Sequence, residues 1–136
     1  MKTRILQEPI ELLCVRAKTF PEGIMDAFQE VKHRFGDQAG KECFGVTIQG
    51  ESGLIYWAAL RRSAVTLSEQ EGLELLTIAP GTYATQSIDQ WQSKIEQIGK
   101  TFEELFGNEE VDPKSLGIEW YLNENELVCM AKIKHD

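Results

Sequence analysis

The sequence is poor in the residues that build covalent or metal-held scaffolds. It has three cysteines (Cys14, Cys43 and Cys129) and two histidines. The cysteines are odd in number and widely spaced, and no CxxC or HxxxH pattern brings in a histidine. A disulfide framework and a zinc site are therefore both disfavoured, and no cofactor is expected. The cysteines read as reduced core residues of a cytoplasmic protein.

Long apolar runs are missing too. No window approaches the roughly 18–20 apolar residues of a membrane span, so no membrane is expected as a partner. The opening MKTRILQEPIELL is broken by Glu8 and Pro9 before a secretory core can form. Positive charge is scarce: 14 Lys and Arg against 22 Asp and Glu leave a net charge of −8. That balance argues against direct binding of nucleic acid. Catalytic signatures are absent as well. There is no GxSxG, no glycine-rich phosphate loop and no HExxH, and neither histidine stands in an obvious catalytic pairing with an acid or nucleophile. The EEVD run at 109–112 lacks the alternating oxygen ligands of a calcium loop.

What is present is a single expected domain, 1–136, with 42% hydrophobic residues and enough chain to bury a core unaided. Within it lies a repeat. GVTIQGESGLIYWAAL from Gly45 and GIEWYLNENELVCMAK from Gly117 both run from a glycine through a strand, cross a polar turn and resume at Ile55 and Leu127. Upstream, Ile24, Phe28 and Val31 share one helix face, as do Ile98, Phe102 and Leu105. Capping boxes are expected at Thr19 with Glu22 and at Ser93 with Glu96, and helix stops at Gly36 and Gly107. IELLCVRAKT and GTYATQSID read as the strands before each helix.

The spacing predicts an α+β fold of two β-α-β-β units, about 8–64 and 73–134, related by a pseudo-twofold axis. An antiparallel sheet would carry two main helices on one side, with a central groove between the halves. LELLTIA is expected to extend the second unit. Glu119 and Tyr121 share one strand face, expected to lie away from the helices and to wall the groove. A carboxylate among aromatics either takes up a proton or holds a cation, and aromatic faces attract cations as well. Tyr56 and Trp57 point to opposite faces of their strand, so one is free for the groove, and alternation does not say which. Trp91, in a polar context, is a candidate for the rim, with Phe20 and Tyr83 as further aromatics.

The segments PGTYA (80–84), the helix positions Ile95, Ile98, Phe102 and Leu105, Pro113, GIEWYL (117–122) and ELVCMAKI (126–133) resemble the gyrase-inhibitor-like small-molecule-binding family. That family is related to the effector-binding domains of bacterial multidrug-sensing transcription activators. VRAKTFPEGIMDAFQEV looks like its first unit. The resemblance implies a central ligand groove with its glutamate at Glu119 and aromatic walls. Family members bind amphipathic, often cationic compounds, inhibit gyrase, serve as sensors fused to DNA-binding modules, or hydrolyse reactive cyclopropane-bearing toxins. The Gly-Pro-Tyr common before each helix is replaced by KTFP (18–21) and QWQ (90–92), which leaves the roles of Phe20 and Trp91 open.

The leading expectation is a stand-alone effector- or drug-binding domain for amphipathic, including cationic, compounds, acting in transcription regulation or in a toxin or drug response. One alternative is hydrolysis of an electrophilic small molecule by Glu119 and Tyr121, although no independent nucleophile or base motif supports an enzyme. Another is inhibition of a DNA-processing enzyme such as gyrase through protein contact. A separate regulator as partner, and a homodimer, both stay open.

Overall fold

Apolar alternation sets the strands and 3.6-residue periodicity sets the helices. The computed structural model describes residues 1–19, 23–35, 42–50, 53–64 and 73–134. Among these the elements are β1 (Lys2–Leu6), β2 (Ile10–Arg16), α1 (Ile24–Phe35), β3 (Cys43–Gly50), β4 (Gly53–Arg61), β5 (Glu74–Ile78), β6 (Gly81–Asp89), α2 (Glu96–Phe106), β7 (Gly117–Tyr121) and β8 (Glu126–Lys132). All strand pairs are antiparallel, in one curled half-barrel sheet of order β1-β6-β8-β7-β3-β4-β2-β5. α1 packs on β2 and β4, and α2 on β6 and β8. The fold is α+β, as the repeat implies.

The strand order reads the same from either end once β1–β4 are exchanged for β5–β8. Its centre is the β3–β7 pair, where Val46 faces Ile118, its own repeat equivalent. Two expectations need correction. LELLTIA does not extend the second unit: its strand β5 pairs with β2 of the first half, and β1, missed in the sequence, pairs with β6 of the second. Each half thus lends its first strand to the other. In the hairpins, Thr47 pairs with Tyr56 whereas Glu119 pairs with Cys129, so the second turn is one residue longer. Tyr56 therefore corresponds to Cys129, and the apparent Ile55–Leu127 match joins residues on opposite faces.

The helix-free face is a closed core. Curling brings Phe44, Val46, Ile118 and Met130 together with Leu12, Ile78 and Tyr83, all buried. On the helix face, Ala27 and Val31 of α1 cover Leu13 and Leu60, while Leu105 of α2 packs with Ala84 and Leu127. Each fully buried Leu, Ile, Val or Phe contributes about 1.5–3 kcal/mol, which fixes the register of both faces. Helix ends follow the sequence less closely. Ser93 donates its hydroxyl to the Gln90 carbonyl at 2.9 Å, and Ile95 caps α2 without a side-chain bond, so the Ser93–Glu96 box does not form. Gly107 does end α2, its N–H bonded to the Glu103 carbonyl at 2.9 Å. Glu22 and Gly36 lie outside the described residues. Among those described, no helix is long and apolar enough to cross a membrane.

Candidate functional site

Three strands converge on one carboxyl group. Glu119 on β7 lies opposite Gly45 on β3, and Gly45 in turn lies opposite Ala58 on β4, two residues from Tyr56. Directly opposed residues of antiparallel strands share a face, and here it is the helix face. The Tyr56 hydroxyl donates to Glu119 Oε1 at 2.8 Å and the Tyr121 hydroxyl donates to the same oxygen at 2.6 Å. Gly45 makes this convergence possible. A Cβ there would stand 2.0 Å from the Tyr56 hydroxyl oxygen and 2.6 Å from Glu119 Oε1.

Aromatic rings enclose the triad. Phe28 of α1 meets Tyr56 and Tyr121 edge-on, with centroids 6.2 Å and 6.0 Å away. Trp91 closes the other side, its ring 4.7 Å from that of Tyr121. Gln90 just before it has φ 56°, a left-handed backbone uncommon outside glycine. That reversal turns Trp91 back over β7, where its indole donates to the Asn123 carbonyl at 3.2 Å. Cys43 of β3 packs with both helix-side clusters.

Burial governs the ionisation of these groups. It holds the Glu119 carboxyl above its ordinary range, and the two phenol hydrogen bonds only partly offset the effect. Tyr56 and Tyr121 are pushed up by burial and then by the Glu119 charge, and neither ionises in the ordinary range. Cys43 is pushed up to about 11 and Cys129 to about 12, by burial first. Among the described residues, no cation acts on Glu119.

Glu119 as a residue is only half-buried, although protein surrounds its carboxyl on nearly every side. The phenols and the rings around them leave the side chain only a small exposed surface. Oε1 takes both phenols, Oε2 has no hydrogen-bond partner among the described residues, and no buried side-chain polar atom there is left unsatisfied. Oε2 is therefore the carboxyl oxygen that keeps access to solvent.

Of the residues singled out in the sequence, Glu119, Tyr121, Tyr56 and Trp91 come together. The register puts Tyr56, and not Trp57, on the face of Glu119. Trp57 and Tyr83 belong to the helix-free core, where the Trp57 indole donates to Glu74 at 3.1 Å and the Tyr83 hydroxyl donates to the Ala79 carbonyl at 2.6 Å. Phe20 lies outside the described residues. The expected face is also corrected: Glu119 and Tyr121 point toward the helices, because the curl closes the opposite face into core. Phe28, Gly45 and Cys43 were missed as site residues. Two surface depressions lie elsewhere: one of about 690 Å3 lined by Glu8–Glu11 and Arg61–Ser63, and one of about 470 Å3 that includes Lys2, Gln86 and Glu104. Both are open to solvent and lack this aromatic enclosure.

No protein-family model matches the sequence, and no curated protein matches it significantly. Solved structures do match. An integron cassette protein of Vibrio cholerae, VCH_CASS2, superposes with a TM-score of 0.71 at 11% identity, over 97% of this chain and 95% of that one. SAV2435, solved with tetraphenylphosphonium bound, gives 0.61 at 11% identity, over 99% and 95%. A putative transcription regulation protein of Staphylococcus aureus gives 0.59 at 14% identity, over 96% and 97%. At these identities the likeness shows a shared fold across nearly the whole chain.

Proposed function

We propose that the chain is a small-molecule-binding domain for lipophilic organic cations, held in a hollow that opens between the aromatic rings around Glu119, with its carboxylate as counter-charge. One observation carries this reading: a carboxyl group withdrawn among aromatic rings, with no cation beside it among the described residues and one oxygen open to solvent. Such a charge is costly alone and becomes favourable with a cation next to it. A large organic cation suits the site better than a metal ion, since it is weakly hydrated and its apolar body is buried against Phe28, Tyr56, Tyr121 and Trp91. Ring faces add attraction of about 0.5–2 kcal/mol each where desolvated. The neighbour that holds tetraphenylphosphonium supports this choice of chemistry, as does the family resemblance of the GIEWYL strand.

Thermal unfolding with tetraphenylphosphonium tests it. At a concentration near 100 times Kd, binding stabilises the fold by about 2.7 kcal/mol, a rise in Tm of roughly 10 °C. Glu119→Gln should show about half that rise or less. No shift in wild type, or an equal shift in Glu119→Gln, contradicts the reading.

A further inference from the structure

The two oxygens of Glu119 have different neighbours, and this difference bears on which ligands the hollow accepts. Oε1 is committed as a double acceptor, with the hydroxyls of Tyr56 and Tyr121 on it. A neutral carboxyl keeps its proton on one oxygen, so here the proton belongs on Oε2, the oxygen open to solvent. Among the described residues, Cys43 from β3, Tyr56 from β4, Tyr121 from β7 and Cys129 from β8 are the titratable groups around it, and Phe28 and Trp91 complete the wall. None is cationic. Lys32 of α1 and Glu42 act on Cys43 but are not among the influences on Glu119.

We propose that the hollow takes two classes of lipophilic ligand, selected by a proton on Glu119 Oε2: neutral molecules bearing a hydrogen-bond acceptor when the proton is held, and organic cations when it is released. This rests on the binding function proposed above and extends it. With the proton in place, Oε2–H donates to a phosphoryl, carbonyl or amide oxygen. When a cation enters, the O–H bond breaks heterolytically, the proton leaves to water and the electron pair stays on the carboxylate. Either way the hollow carries no net charge, the condition that burial favours. The raised ionisation of Glu119 agrees with a held proton in the empty site.

Triphenylphosphine oxide and tetraphenylphosphonium share an aromatic body and differ in charge, which makes them suitable probes. Calorimetric titration of wild type and Glu119→Gln is run from pH 5 to 8.5. Phosphonium affinity should rise up to tenfold per pH unit and then level, while oxide affinity falls above the same turning point. Glu119→Gln, which keeps a donor but no charge, should bind the oxide without pH slope and the phosphonium at least tenfold more weakly. A phosphonium affinity independent of pH, or no binding of the oxide at any pH, overturns the proton-selected pair of ligands and leaves cation binding standing. No phosphonium binding at any pH overturns both.

Discussion

Replacing Gly45 with alanine probes the site through one added carbon. The new Cβ would sit 2.0 Å from the Tyr56 hydroxyl oxygen and 2.8 Å from the ring carbon that carries it. Ordinary contact begins near 3.5 Å, so the hydroxyl must retreat by about 1.5 Å. Tyr56 is only 2% exposed and packs against Phe28, so its ring has little room to yield. Such a retreat breaks the 2.8 Å bond to Glu119. Loss of that bond costs about 1 kcal/mol and overpacking a further 1–3, for a total of roughly 2–4 kcal/mol. Urea denaturation should show it, with Tm falling by roughly 8–15 °C. Gly99→Ala is the control: that residue is exposed within α2 with nothing within 4 Å of a new Cβ. It should stabilise by up to about 1 kcal/mol. Adding Tyr56→Phe to Gly45→Ala removes the clashing oxygen, so the double variant should be at least about 1 kcal/mol less destabilised than the two single changes summed. Strict additivity, or a Gly45→Ala protein as stable as wild type, refutes the close approach of the three strands.

Stability should fall as pH rises. Glu119 keeps its proton in the fold above the value at which the unfolded chain loses it, so the folded state binds more protons. The loss begins near the ordinary 4.5 and ends where the folded group ionises; Glu119→Gln should flatten this slope in urea titrations at pH 5 and 8. Cys14 and Cys129, pushed up to about 12 and buried, should resist iodoacetamide at pH 8 in the native protein. Cys43, half-buried, should react slowly and be protected by tetraphenylphosphonium, as peptide mass mapping would show. Phe28→Ala uncovers the triad and should cost about 2 kcal/mol, because the ring is only half-buried, while weakening phosphonium binding at least fivefold by calorimetry.

The duplicated architecture was legible because apolar periodicity repeats over a whole unit, and Glu119 was legible because a carboxylate stands between apolar strand residues. The face of Glu119 was not. Alternation tells which residues share a side, but the curl of an eight-stranded sheet decides which side closes into core. β1 escaped notice because KTRIL is short, charged and half polar, as suits an edge strand. Phe28 looked like any core residue of an amphipathic helix, and it does pack there while one edge covers the site. Gly45 carried no signal of its own. Its importance comes from the absence of a side chain where Tyr56 and Glu119 meet, a relation across three strands that no local pattern records. Trp57 was drawn in because alternation leaves one of Tyr56 and Trp57 for each face, and Tyr83 as an aromatic of the PGTYA strand; strand register sends both to the other face.

Nuclear Overhauser contacts between tetraphenylphosphonium and the protein test the central claim most directly. The account predicts contacts from ligand ring hydrogens to Phe28, Tyr56, Tyr121 and Trp91, all strongly weakened in Glu119→Gln at a ligand concentration near the wild-type Kd. Contacts instead to Trp57 and Tyr83, or to the surface depression beside Glu8 and Arg61, would contradict it.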